Sequence, residues 1–436
     1  MGGYKNGKKI KRRSAVFSCI FLLLFMTGCQ KKVYLMPTPV VMQTGEHDPF
    51  AVNPELEETN RVVVAYATNR MGVGSDEDKQ YVTLFDQKLR LGAAQVRIGS
   101  EKDTWLDIYK LSTIDKSQDK IVLDLESTNE LAELDADVSI DKLTPEAQYF
   151  FEKLNAALDR TLDKDLILYV HGANNTFYRS SAQAAQFHHF TGRNTVVMFY
   201  AWPSAASLLR YAVDVNNASR TVSVFTRLLE ILGRHSKARS IDILAYSAGA
   251  QVLSPALTEL REKYADEDIR QVKQRLRLGE IYFAAPDIDL SGFLDNLATY
   301  IDLANHVTLA LNPDDSVLKH AARHHKVSRA GRPDTDELSA EETQWVIDAS
   351  RKMPLDILWI TSETIPDINR GSHSFWYSHP WVSTDVLVQF LFQARPEHRG
   401  LAEYEIEGGV RLWYFPEDYP EQASRAINRL KKEQLQ

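Results

Sequence analysis

The sequence predicts an α/β fold, a mostly parallel central sheet with helices on both faces, and three observations carry that reading. From about Thr144 onward, strand-like and helix-like segments alternate, the pattern of a sheet built from crossover units. The strand-like runs "DLILYV", "TVVMFY", "IDILAY" and "EIYFAA" are continuously apolar, as strands covered on both faces must be. The third run ends on Tyr246-Ser247-Ala248-Gly249, small residues and one hydroxyl at a strand-to-helix junction. Such junctions, at the carboxyl ends of parallel strands, are where ligands gather. The 436 residues are 44% hydrophobic and 25% charged, a globular composition that excludes disorder as the main state.

Five segments organise the chain. Residues 1–28 have a secretory leader layout: Lys5, Lys8, Lys9, Lys11, Arg12 and Arg13 precede an uncharged stretch from Ser14 to Gly28 with an apolar centre. As a helix that stretch would span about 22 Å, short of the roughly 30 Å hydrocarbon core, so cleavage is expected instead of a permanent span. Met26-Thr27-Gly28-Cys29 is similar to the bacterial lipobox, in which the cysteine is acylated and becomes the mature N-terminus. By the same resemblance Gln30, where inner-membrane retention wants aspartate, points to the outer membrane of an organism with two. Residues 29–60 carry prolines and no helical or strand period, and read as a tether. Residues 61–143 hold strand-like runs at 61–69, 91–99 and 120–126 as an N-terminal extension.

The alternation occupies residues 144–395. Helix-like stretches at 144–162, 179–190, 214–234 and 249–264 each precede an apolar run, and further runs follow at 306–313 and 355–362. Residues 396–436 form a C-terminal extension, and the chain contains no internal repeat. Cys19 and Cys29 are its two cysteines, so the mature body offers neither a disulfide nor a thiol metal site. Losing the leader removes six positive charges and no acid, which takes the net charge from −8 to −14. An acidic body argues against a nucleic-acid partner. "RHHKV" at 323–327 lacks acidic partners at ligand spacing and reads as a solvated basic loop, not a metal site.

Ser247 is either part of a turn that needs small residues or a nucleophile on a sharp elbow. A base for it is sought among twelve histidines. His373, in the loop-like "NRGSHSF" after the last apolar run, is the choice; His379 precedes a proline in an aromatic stretch that reads as packing, and is the rival. His171 reads as a hydrogen-bonding residue of its own turn. Two pairs of acids follow strand ends, Asp314 with Asp315 and Asp287 with Asp289, and both places suit an orienting carboxylate.

Ala245-Tyr246-Ser247-Ala248-Gly249 resembles the nucleophile elbow of the α/β-hydrolases, with alanine at the first glycine, and "LYVHGANNTF" resembles the His-Gly turn of lipases and esterases. With "LMPTPVV", "YATNR", "LGAAQVRIG", "AWPSA", "AAPDID", "NPDDSVL" and "GSHSF", these pieces are similar in order and spacing to a bacterial α/β-hydrolase family known as a domain of unknown function. The family's elbow reads His-Ser-Met-Gly, and this departure bears on substrate preference. The resemblance implies the α/β-hydrolase fold, Ser247 as nucleophile, His373 as base and Asp315 as the orienting acid. It also implies an oxyanion pocket from the backbone N–H groups of Ala173 and Ala248. The expected activity is hydrolysis of a small-molecule or lipid ester, without cofactor, by a protein tethered to the cell envelope through Cys29. The same residues would serve a thioesterase or peptidase. A catalytically inactive binding or assembly lipoprotein is the alternative, because fold alone does not guarantee chemistry.

Overall fold

The computed structural model describes residues 31–43, 45–75, 79–113, 120–205, 210–406 and 408–434. The leader and Cys29 lie outside the described residues. The strands are β1 (Val33–Tyr34), β2 (Arg61–Val73), β3 (Gln80–Ile98), β4 (Val122–Leu134), β5 (Leu166–Val170), β6 (Val196–Ala201), β7 (Ile241–Tyr246), β8 (Leu278–Ala284), β9 (His306–Leu311), β10 (Leu355–Trp359), β11 (Ala402–Glu405) and β12 (Arg411–Tyr414). The helices are α1 (Trp105–Thr113), α2 (Pro145–Arg160), α3 (Phe177–Phe190), α4 (Tyr211–His235), α5 (Ala250–Lys263), α6 (Ile269–Leu276), α7 (Leu290–Tyr300), α8 (Ser316–His325), α9 (Ala340–Lys352), α10 (Phe375–Ser378), α11 (Pro380–Phe392) and α12 (Tyr419–Gln434).

All these strands form one sheet, in the order β1-β4-β3-β2-β6-β5-β7-β8-β9-β10-β12-β11. Pairing is parallel from β2 through β6, β5, β7, β8, β9 and β10 to β12, and antiparallel at both ends. The apolar runs are continuous because both faces are covered. In β5, Leu166, Leu168 and Val170 enter one core while Ile167 and Tyr169 enter the other. Phe225 of α4, Leu253 and Leu257 of α5 and Phe293 of α7 fill the first core; Phe187 of α3 with Val386 and Phe390 of α11 fill the second. Helix starts follow local chemistry: Thr144 accepts from Ala147 N ahead of Pro145, and Ser339 with Glu342 forms a capping box on α9.

The chain runs from β5 through α3 to β6 on one side, and from β7 through α5 and α6 to β8 on the other. The carboxyl ends of β5 and β7 therefore flank the point where the winding direction reverses, the crevice in which such sheets bind ligands. Ser247 and the loop after β5 stand there.

Two segments differ from the sequence reading. Of the segment 29–60 read as a tether, residues 33–43 and 45–60 lie on the body as a strap: Val33 and Tyr34 pair with Leu123 and Val122, and Met36, Val41, Met42 and Phe50 are buried. The strap has no period because its prolines prevent regular structure, while Met36, Val41 and Met42 enter the second core and Phe50 is buried beside Trp105 and His189. The folded body thus begins by Val33, ahead of Arg61. The other segment is 396–436, which adds β12 to the open edge of β10, then β11, and packs α12 through Tyr419, Ala423 and Ile427 into the second core. The sheet is continuous across 143/144 and 395/396.

Candidate active site

Ser247 follows β7 on a turn with φ of +53°, left-handed backbone that costs a serine free energy unless its surroundings impose it. They do impose it. A Cβ on Gly172 would lie 2.8 Å from the Ser247 Cβ, and one on Gly249 would lie 2.6 Å from the Val170 carbonyl oxygen. Both positions therefore need glycine for close approach of strand, turn and helix. Ala245, where the elbow pattern has glycine, puts its methyl into the first core, so the extra carbon has room. Asp287 N donates to the Ser247 carbonyl at 3.0 Å and ties the turn to the loop after β8.

The Ser247 hydroxyl donates to His373 Nε2 at 2.8 Å, and His373 Nδ1 donates to Asp315 Oδ2 at 2.7 Å. The other carboxylate oxygen of Asp315 accepts from Val317 N and Leu318 N, both at 2.9 Å, at the N-terminus of α8. One residue thus caps a helix and orients an imidazole, and its carboxylate is fixed on both sides. The loop carrying His373 is held to the same β9–α8 turn. Asn312 Nδ2 donates to the Ser372 carbonyl at 2.7 Å, Ser316 Oγ donates to the Gly371 carbonyl at 2.9 Å, and Arg370 Nε donates to Asp314 Oδ2 at 2.9 Å. Asn312 and Ser316 were missed by sequence reasoning; an Asn-Pro-Asp turn directly after an apolar strand was the signal that could have found the first.

The other sequence candidates have separate tasks. Asp314 pairs with Arg370, and Asp289 caps α7 through Gly292 N at 2.8 Å. Asp287 accepts from Arg329 Nε and from the Tyr211 hydroxyl, each at 2.7 Å. His379 donates to the Pro366 carbonyl at 2.8 Å and caps α11. His171 donates from Nδ1 to the Gly172 carbonyl, and its ring stacks on Trp202 at 5.2 Å. Burial, with Arg70 adding to it, holds the His171 imidazole down at about 3, neutral at pH 7. "RHHKV" is no loop: His324 and His325 close α8, with Lys326 in left-handed conformation as its stop. Phe375 and Trp376 of the aromatic stretch are buried, as is Trp202.

Ala248 is the second residue of the short turn Ser247–Gly249, where the first N–H groups have no partner inside the helix. Ala173 lies in the loop after β5, and among the described residues its N–H has no acceptor. A cleft of about 650 Å³ opens beside His373, lined by Tyr246, Val317, Ile368, Asn369 and Ser378 among others. Two larger cavities, about 910 and 930 Å³, lie on the N-terminal strand layer and touch none of Ser247, His373 and Asp315. Among the described residues no cluster of three or more His, Cys, Asp or Glu side chains could hold a metal ion, and no helix is long and apolar enough to cross a membrane.

A serine held on a strained elbow at the reversal point of a mostly parallel sheet, with helices on both faces, defines an α/β-hydrolase. The chain belongs to the family described as alpha/beta hydrolase of unknown function (DUF900), whose model matches residues 146–374. No curated protein and no solved structure matches it.

Proposed function

We propose that this hydrolase cleaves an ester through a covalent acyl-enzyme on Ser247, and that it is held at the cell envelope by acylated Cys29. The hydrogen-bonded line from Ser247 Oγ through His373 to Asp315 carries the first part. As Oγ attacks the ester carbonyl carbon, His373 Nε2 takes its proton, and the Asp315 carboxylate stabilises the imidazolium. The N–H groups of Ala173 and Ala248 receive the developing oxyanion. Collapse expels the alkoxide, which takes the proton from Nε2. Water then repeats the cycle and releases the acid. No cofactor enters this scheme, and a small-molecule or lipid ester satisfies it.

The lipobox-like Met26-Thr27-Gly28-Cys29 supports the anchor. Only Gln30, Lys31 and Lys32 separate Cys29 from Val33, the start of β1. At about 3.6 Å per extended residue, such a linker keeps the body close to the bilayer.

One experiment tests both parts. Membranes carrying the full-length protein are treated with a fluorophosphonate and the modified peptides are mapped by mass spectrometry. The expected result is an adduct on Ser247, absent in Ser247→Ala, and an N-terminal peptide that starts at acylated Cys29. Ser247→Ala should also lower kcat for 4-nitrophenyl acetate by roughly a thousandfold or more. A folded protein without the adduct rejects the hydrolytic reading in favour of an inactive scaffold; an N-terminus elsewhere, without acylation, rejects the anchor.

A further inference from the structure

We infer that Asp214 is a positioning residue for the oxyanion pocket, acting with Ser204 and Arg70 on the loop that carries Ala173. The inference rests on the hydrolytic reading above and extends it to residues outside the Ser247–His373–Asp315 line. Asp214 stands in the first turn of α4 and is 1% exposed. Its Oδ2 accepts from Asn174 N at 3.1 Å and from the Ser204 hydroxyl at 3.0 Å, and its Oδ1 accepts from Ala205 N. The Ser204 oxygen in turn accepts from Asn175 N at 3.1 Å. Arg70, also buried, donates from Nη2 to the Asn175 carbonyl at 3.0 Å. Upstream, Trp202 Nε1 donates to the His171 carbonyl at 2.6 Å.

These bonds leave the loop little freedom. The N–H groups of Asn174 and Asn175 are both engaged, and the one before them, on Ala173, is left without an acceptor among the described residues. Asn174 sits at φ of +53°, left-handed backbone that asparagine tolerates better than most residues. The Asp214 carboxylate fixes that turn through the Asn174 N–H and joins the loop after β5 to the loop after β6. Burial pushes the Asp214 carboxyl pKa up, and bonds from Ala205, Asn174 and Ser204 together with the Arg70 charge oppose the push. A buried carboxylate is costly unless it is hydrogen-bonded, and these donors offset that cost while fixing both loops to one group. The arrangement also explains "YATNR", "YVHGANNTF" and "AWPSA", three stretches to which the hydrogen-bonded line assigns no side chain: they meet here. Thr68 Oγ1 donates to the Ala201 carbonyl at 2.6 Å and Asn69 Nδ2 to Thr221 Oγ1 at 3.0 Å, which seats Arg70 beneath the loop.

The test compares full-length wild type, Asp214→Asn and Ser204→Ala. Three readouts are taken: hydrolysis of 4-nitrophenyl acetate, affinity for phenylboronic acid, and thermal midpoint. The boronate forms a tetrahedral adduct with the serine and so reports the oxyanion pocket directly. In Asp214→Asn the amide replaces one acceptor oxygen by a donor, so kcat should fall roughly tenfold or more. KM should change by less than the same factor, and boronate affinity should fall in step with kcat. Ser204→Ala removes only the hydroxyl link and should show a smaller loss of the same kind; it decides the matter if Asp214→Asn does not fold. Wild type labelled at Ser247, with kcat and boronate affinity unchanged in the folded variants, overturns this inference alone. Wild type that neither labels nor binds boronate overturns the hydrolytic reading with it.

Discussion

At the scale of single residues, the site depends on backbone that only certain residues tolerate. Ser247 at positive φ stores on the order of 1–3 kcal/mol of strain, and the contact across Gly172 is one of the features that maintain it. Gly172→Ala should therefore act on chemistry before stability. Its methyl would lie 2.8 Å from the Ser247 Cβ and 3.3 Å from Oγ, so the serine must shift relative to His373. A displacement approaching 1 Å costs about a hundredfold in rate. The measurement is kcat for 4-nitrophenyl acetate beside the thermal midpoint: a large fall in kcat with a small fall in midpoint is expected, and unchanged kcat would show that the close approach is not needed. The same residues show what could be read in sequence. Ser247 was legible because an elbow needs small neighbours. Asp315 was not distinguishable from Asp287, Asp289 and Asp314 by residue pattern, since all four follow strand ends. What distinguishes it is three-dimensional: its second oxygen is held by the α8 N-terminus while the first faces His373.

At the scale of elements, legibility follows burial. β5 to β9 were readable because both faces are covered and nearly every position is apolar, with polar Asp242, Glu280, His306 and Thr308 as the exceptions. β3, expected at 91–99, begins at Gln80, and β2 runs to Val73 instead of residue 69. Their extra lengths are half exposed and carry mixed side chains that give no apolar signal. β11 and β12, four residues each, are too short to show a period. The strap gives none at all, yet it closes the second core's edge. Phe50 is 2% exposed, with its ring 5.2 Å from Trp105 and 4.9 Å from His189. Phe50→Ala should therefore lower unfolding free energy by about 3–5 kcal/mol, as for other buried aromatic truncations. Urea unfolding of the full-length protein checks this. A change below about 1 kcal/mol would return the segment to the role of a tether.

At the scale of the whole molecule, the two ends of the sheet do different work. The carboxyl ends carry Ser247 and its partners, while carboxylates gather at the amino ends, half-buried Asp163 and buried Asp165 before β5 and buried Asp242 within β7. Arg239 faces the first two, 2.6 Å from Asp165 Oδ2 but 3.4 Å from Asp163 Oδ1. Asp163 accepts from Asp165 N at 3.1 Å, and its other oxygen has no partner among the described residues. Burial first, and then the neighbouring Asp165 charge, push the Asp163 pKa up to about 7. In the unfolded chain an aspartate titrates near 3.9, at roughly that value. A raised folded pKa means that the group's contribution to stability is complete below about pH 4 and is lost as pH rises through about 7. Asp163→Asn cannot ionise and escapes that loss. The variant should gain on wild type as pH rises, by roughly 1–3 kcal/mol between pH 4 and pH 8, and hydrolysis at the far end of the sheet should be unaffected. Urea unfolding of both proteins at the two pH values measures it. A difference independent of pH would mean that Asp163 titrates alike folded and unfolded, and that Arg239 neutralises both carboxylates.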